Sequence, residues 1–367
     1  MGAVRQNHTC QTVVFKHLER MTTEIHTGDP VLSTSARRWM RAWLLLLGVL
    51  VYGMILIGGA TRLTDSGLSI TEWRPISGAL PPLSHAEWQS LFQQYQQTAE
   101  YKLQNAGMSL AEFEYIYWWE WGHRLFGRLI GLISIIGLIA FWRLGWLKQG
   151  LGWKYIVLIA LGGLQGAIGW WMVASGIGET TRVDVAPYRL MTHFCLALLI
   201  LVIILWYWLD LGRKVQAAKT NASLVLGVFA TLIFVQMASG ALVAGLDAGR
   251  TYTDWPMMAG EFVPTGYWQS GLGIRNLFEN VATAQFNHRI LAYVITVATL
   301  WIAFQSLADR ARNGFGLVLG LVALQVAWGI YTLVHAAPLP LALVHQGLGV
   351  LVLLSSVRAV WRSAQSY

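Results

Sequence analysis

The sequence predicts an all-α polytopic membrane protein, with eight transmembrane helices arranged as two parallel-repeat four-helix bundles. Three observations predict it. The 367-residue chain is 55% hydrophobic and only 12% charged, against about 25% charged in an ordinary soluble domain. Several uninterrupted apolar stretches reach the roughly 20 residues that cross a bilayer core. Finally, four sequence blocks recur in the same order in the two halves of the chain.

The first span covers about residues 42–61, a stretch without Asp, Glu, Lys or Arg. The second, 116–142, is apolar overall yet carries Glu120, His123, Arg124 and Arg128 near its start. Ser109-x-x-Glu112 before it is a capping box, so this helix begins before the membrane. Spans three (155–175) and five (222–245) are free of charged residues, and spans four (190–209) and six (283–305) carry His193 and His288. No charged residue occurs from Asn313 to Val357, where Pro338 and Pro340 divide the seventh span (314–335) from the eighth (340–357). In the first long loop, Ser84-x-x-Glu87 opens WQSLFQQYQ as an amphipathic surface helix.

The formal net charge of +8 orients these spans and does not point to nucleic acid. Arg37, Arg38 and Arg41 precede span one, and Arg143, Lys148 and Lys154 join spans two and three. Arg213, Lys214 and Lys219 join four and five, Arg310 and Arg312 join six and seven, and Arg358 and Arg362 follow span eight. Leaving the N-terminal tail aside, Asp210 and Asp309 are the acids on that side, while the opposite loops are acid-rich. The positive-inside rule then makes both termini cytoplasmic. Residues 1–36 form a polar cytoplasmic tail with no signal-peptide core, and Met21 is a second candidate start. Cys10 and Cys195 fall at different depths or sides, which argues against a structural disulfide.

The repeats run Asp65-Ser66-Gly67 with Asp247-Ala248-Gly249, and Thr71-Glu72-Trp73 with Thr253-Asp254-Trp255. Gly59-Ala60 before the first pairs with Gly240-Ala241. Gly122-His123-Arg124 pairs with Asn287-His288-Arg289, LQGAIGWW (164–171) with LQVAWGIY (324–331), and THFCLALLIL with VHQGLGVLVL. Four spans per repeat return the chain to its starting side, so the halves share one orientation. The expected division is a tail (1–36), an N-terminal bundle (37–212) and a C-terminal bundle (213–362). Small residues such as Gly127 and Gly131, or Gly162 and Gly166, are expected to allow close helix contacts.

Of nine histidines, five are membrane-associated: His123, His193, His288, His335 and His345. Four of them occupy repeat-equivalent places, two per bundle, on the second and fourth helix of each. A lone intramembrane histidine can be a helix–helix hydrogen bond, but ionisable groups there are costly and tend to be functional. Two histidines on facing helices can ligate one iron from opposite faces of a flat macrocycle. Zinc fits less well, because no second ligand pair accompanies either pair. Arg124 and Arg289 each follow a proposed ligand and can pair with anionic haem propionates or with a nearby acid. Arg128 lies one turn further on. His335 has no partner in the first half.

One substitution breaks the symmetry. Glu120-x-x-His123 becomes Gln285-x-x-His288, which keeps shape and loses charge and proton exchange. Glu120 is therefore either an acid/base or cation-stabilising group, or an ion-pair partner of Arg124 or Arg128.

From about residue 40 to 360 the sequence resembles the haem A synthase family. The motifs are GGATRLTDSGLSITEW, EWGHRLFGRLIG, LQGAIGWWMV, the TDWP block, QFNHRI and LVHQGLG. The resemblance implies an eight-helix enzyme of a bacterial inner membrane. It oxidises the C8 methyl of haem O to a formyl group, giving haem A for terminal oxidases. It also implies a haem b cofactor on His288 and His345, with Arg289 beside it, and haem O between His123 and His193, with Arg124 and Arg128 beside it. Glu120 matches the family's acid near the first histidine. Some members carry a cysteine pair in the first outer loop; this sequence has none there and is like the cysteine-lacking group of proteobacteria and mitochondria. Haem O synthase and oxidase assembly factors are the protein partners implied, besides membrane lipid, and a homo-oligomer is compatible. A bis-histidine iron has no open position for oxygen, so either a histidine leaves or the cofactor haem only passes electrons. A dihaem cytochrome b without substrate conversion is the alternative, against which the Glu120/Gln285 asymmetry argues. A transporter would place its polar groups at mid-membrane, not at the helix ends.

Overall fold

A computed structural model describes residues 32–147, 151–178, 180–212, 220–305 and 314–365. Most of the N-terminal tail, Cys10, Lys148, Arg213, Lys214, Lys219, Asp309, Arg310 and Arg312 lie outside the described residues. One compact unit ends at Met40 and a second begins at Arg41. The contacts given below lie within the second.

Eight helices are long and apolar enough to cross a membrane. They are α1 (Thr34–Leu63), α2 (Leu110–Arg143), α3 (Leu151–Val173), α4 (Pro187–Leu211), α5 (Asn221–Gly245), α6 (Val281–Gln305), α7 (Phe315–Val334) and α8 (Leu339–Ser363). Each contains most of one predicted span and differs mainly at its ends. The helix starts follow local chemistry. Ser109 accepts from the Glu112 amide while Glu112 accepts from the Ser109 amide, so α2 begins ahead of its apolar segment, as its capping box predicts. Thr220 and Ser223 do the same for α5. Prolines occupy the first turns of α4 and α8, where a missing N–H costs nothing. An isolated β bridge joins Met258 and Glu261.

Helices α1 to α4 contact one another in a closed ring, and so do α5 to α8. In the first ring, α2 packs on α3 and α3 on α4. The Trp43 indole of α1 donates to Ile133 O of α2 at 3.3 Å, and Gly48 of α1 lies against Ile204 of α4. In the second ring, α5–α6, α6–α7, α7–α8 and α8–α5 all pack. The rings meet through α4 against α5 and α8, and through Gln346 of α8, which donates to Ile55 O of α1 at 2.9 Å. Exposed Leu129, Leu132, Ile136 and Ile139 recur on one face of α2 and form a stripe suited to lipid.

Of the four glycines expected to allow close helix contacts, only Gly127 does so. A Cβ at Gly131, Gly162 or Gly166 would meet nothing within 4 Å, whereas Gly127 lies near Met54. The tight approaches are at Gly137 against the Trp43 indole, Gly347 against Tyr52 and Gly349 against Met237. Spacing of small residues alone does not say which face of a helix meets a neighbour.

The surface helix His85–Tyr95 begins at the predicted Ser84/Glu87 capping box. Its apolar face does not lie on lipid: Trp88, Leu91, Phe92 and Tyr95 pack against Phe113, Ile116 and Tyr117 of α2. Beside Tyr95 sits Glu100, 2% exposed. Burial first, and then the Glu120, Asp184 and Asp65 carboxylates, push its carboxyl up to about 9, so it is neutral at pH 7.

At the end of α1, Arg62 is 9% exposed and reaches three carboxylates from three loops: Asp65 at 2.7 Å, Asp247 at 2.6 Å and Asp184 at 3.4 Å. Asp65 and Asp247, paired in the sequence repeat, both adopt φ 49°. The Arg62 guanidinium thus ties together three loops at one end of the two rings. A buried charge of this kind is kept by its partners and costs several kcal/mol when they are removed.

Candidate functional site

Each of the four repeat-matched histidines lies on an even-numbered helix and rests against a glycine of the helix before it. An added Cβ would stand 2.9 Å from the His123 ring at Gly58 and 2.9 Å from His193 at Gly169. At Gly240 it would be 3.1 Å from His288, and at Gly329 2.7 Å from His345. Only glycine lets these imidazoles lie so close to a neighbouring backbone. Gly58, not Gly59, therefore holds against His123 the place that Gly240 holds against His288.

Three of the glycines follow a glutamine by four residues, one helical turn earlier on the same face: Gln165, Gln236 and Gln325. The Gln165 amide donates to His193 O at 3.0 Å and lies 3.2 and 3.3 Å from the two ring nitrogens. Gln236 repeats this on His288 with the same three distances. Gln325 donates to His345 O at 3.1 Å and lies 3.5 Å from Nε2. An amide nearly equidistant from both nitrogens lies over the ring face, so it fixes the ring's rotation. Before Gly58 the same place is taken by Met54. His123 is met instead by the Thr61 hydroxyl, 3.4 Å from Nδ1. The Q-x-x-x-G spacing was legible as LQGAIG, VQMASG and LQVAWG, but its meaning depends on which helix faces each histidine.

His123 and His193 lie on α2 and α4 of the first ring, and His288 and His345 on α6 and α8 of the second, so each ring contains one pair. All four rings are half-buried. Among the described residues, no group of three or more His, Cys, Asp or Glu could hold a metal ion. A metal that brings four equatorial donors of its own needs only two axial histidines, so the pairs fit a haem and not bare zinc. The buried Oε1 atoms of Gln165, Gln236 and Gln325 lack protein partners, as expected of residues beside a site shaped for another molecule.

Glu120 is 3% exposed and fully engaged. Oε2 accepts from Ser69 Oγ and from the Ile70 amide, both at 2.7 Å. Oε1 accepts from Arg124 Nη2 at 2.6 Å and Nε at 3.1 Å. The ion pair weighed from the sequence is thus formed, with Arg124 and not Arg128. Arg124 also donates to Glu72 O at 3.0 Å and Ile70 O at 2.9 Å. Arg289 donates to the matching carbonyls, Asp254 O and Tyr252 O, each at 2.9 Å, and to Met257 O at 2.8 Å. Gln285 donates to Tyr252 O at 2.9 Å. Both arginines therefore fasten a neighbouring loop by its carbonyls. Arg128 does likewise, donating to Pro75 O and Arg74 O at 2.8 Å each.

The second loop is stiffened locally. The Asp254 carboxylate accepts from the Ala259 and Gly260 amides at 3.0 Å each, which holds its pKa below the usual carboxylate range. His335 stands apart: it is exposed, donates from Nδ1 to Tyr331 O at 2.8 Å and leans on the Tyr331 ring. Sequence reading missed the glutamine and glycine cradles, Thr61, Arg62 and the neutral Glu100.

Fold and site together define a polytopic helical membrane protein with two histidine pairs, each held inside its own ring of four helices. Residues 41–357 match the COX15-CtaA family model, described as cytochrome oxidase assembly protein, and the chain belongs to that family. It is 60% identical over 338 residues to the heme A synthase of Hyphomonas neptunium, covering 90% of this chain and 95% of that protein. It is 47% identical to that of Dinoroseobacter shibae (91% and 90% covered) and 48% identical to that of Paracoccus denitrificans (85% and 84% covered).

Proposed function

We infer that this chain is a membrane-embedded haem A synthase, converting the C8 methyl of haem O to the formyl group of haem A for terminal oxidase assembly. Its relatives at 47–60% identity over most of the chain carry that name. The observation that carries the residue-level reading is the paired, glycine-cradled set of four histidines. In this reading residues 37–212 and 213–362 are parallel repeats, both termini are cytoplasmic, and the chain lies in a bacterial inner membrane. Haem O synthase and oxidase assembly factors are its neighbours in the pathway of haem delivery.

His288 and His345 would hold haem b, which supplies a one-electron redox centre when bound. Gln236, Gln325, Gly240 and Gly329 orient those rings, and Arg289 fastens the loop Tyr252–Met257 above them. His123 and His193 bracket the iron of haem O. Glu120, three residues before His123 and on the same face of α2, is the one acid beside the substrate site without an acidic counterpart beside the cofactor site. With Arg124 it balances charge there and exchanges protons with the outer loop.

Co-expression with a haem O-producing enzyme, followed by mass spectrometry of extracted haems, tests the function. Haem A is the expected product. A folded protein loaded with haem b that leaves haem O unconverted would contradict it.

A further inference from the structure

His123 is held differently from the other three histidines. We propose that His123 is the releasable axial ligand of the substrate iron, and that Met54 and Thr61 are the positioning residues that make it so. The inference rests on the reading that α1–α4 receive haem O.

At His193, His288 and His345 a glutamine amide lies over or beside the imidazole and is bonded to the histidine's own carbonyl at 3.0, 3.0 and 3.1 Å. Turning such a ring breaks the amide's contact with the ring nitrogens, while its bond to the carbonyl keeps the amide in place. Met54 stands in the corresponding place on α1 and carries no N–H. Its terminal methyl instead lies beside Gly127, one turn beyond His123, where an added Cβ would be 3.3 Å away. No amide therefore locks the His123 ring.

Thr61 replaces the lock with a directional contact. Its hydroxyl donates to Ile57 O at 2.9 Å. Having spent its proton, it faces His123 Nδ1 at 3.4 Å as an acceptor. The imidazole proton then belongs on Nδ1, and the lone pair that binds iron is on Nε2. Thr61 lies three residues after Gly58; the residues three after Gly169, Gly240 and Gly329 are Met172, Val243 and Thr332. Of these only Thr332 has a hydroxyl, and it donates to Leu341 O and not to a histidine. Thr61 selects the ligating nitrogen without clamping the ring.

Release breaks the Fe–Nε2 bond, and both bonding electrons stay on nitrogen. The iron passes from six- to five-coordinate; a haem that enters as substrate and leaves as product must shed its histidines, and a resident haem need not. Glu120 stays in place during this motion, because Ser69, Ile70 and Arg124 hold it.

Carbon monoxide binding to the reduced full-length protein carrying both haems reads ligand release, since only a five-coordinate ferrous iron takes it. In the unmodified protein, CO is expected to bind one haem only, the one whose signal His123→Ala alters. Met54→Gln should slow that binding about five-fold, the worth of one net hydrogen bond. Gln236→Met should make the second haem CO-reactive, at least about five-fold faster than before. Thr61→Val should weaken retention of the first haem about five-fold and leave the second haem's spectrum unchanged. Equal CO rates in the unmodified protein and Met54→Gln, or CO binding confined to the His288–His345 haem, would overturn the proposal. Should Met54→Gln fail to fold, Gln236→Met decides, and an unchanged CO-inert second haem then counts against it. A protein that never holds a second haem would instead defeat the functional reading beneath it.

Discussion

His288→Ala should strip the purified protein of haem b, weakening its retention by more than about 100-fold. Loss of an outer partner of a metal ligand already costs about 10–100-fold, and the ligand itself contributes more. The structure adds a reason for completeness. The ring is seated on Gly240 and covered by the Gln236 amide, so its removal empties a place built for an imidazole. Alanine leaves space against Gly240 for free imidazole, and added imidazole is expected to restore the six-coordinate spectrum. Such rescue separates ligation from a structural role, because a merely misfolded protein would not recover. Retention of an unchanged haem b spectrum in His288→Ala would contradict the assignment.

Glu120→Gln should lower conversion of haem O about 100-fold while leaving haem b in place. The lower end of general acid–base contributions is about 100-fold. The substitution copies the second half, where Gln285 stands three residues before His288. In Glu120, both carboxylate oxygens accept, one from Ser69 and Ile70 and the other from Arg124. A glutamine can present its oxygen to only one of these sets, leaving donors facing donors at the other. Loosening of the first outer loop is therefore a second route to lost activity, and the two routes leave different traces. A loosened loop raises KM for haem O and lowers the melting temperature. A lost acid lowers kcat and flattens its pH profile. A fall in kcat at unchanged KM is the expected pattern; normal turnover would reduce Glu120 to a loop fastener.

The helices were legible because a bilayer enforces a simple rule: about 20 apolar residues must satisfy their own backbone. Helix starts at Ser109 and Ser84 were legible too, since capping boxes are local. The four histidines stood out because charge and imidazole are rare in such segments, and recurrence marked them as a set. Their cradles were harder to see. Gly58, Gly169, Gly240 and Gly329 matter only because each faces a histidine on the next helix, a relation between helices that spacing within one helix does not encode. For the same reason Gly131, Gly162 and Gly166 suggested contacts that do not form. The arginines Arg124, Arg128 and Arg289 were recognised as charge-bearing, but their use on loop carbonyls depends on how the loops fold back. Arg62 drew no attention in sequence, although it binds Asp65, Asp184 and Asp247, because those acids are far from one another along the chain.

The central claim is that two histidine pairs do different work: His288 and His345 hold a resident haem b, while His123 and His193 receive haem O. Haem content of purified protein, co-expressed with a haem O-producing enzyme, tests it most directly. The unmodified protein should yield haem b together with haem O or haem A. With His123 and His193 both replaced by alanine, haem b should remain at full occupancy and haem O and haem A should disappear. Loss of haem b from that variant, with haem O or haem A retained, would contradict the account.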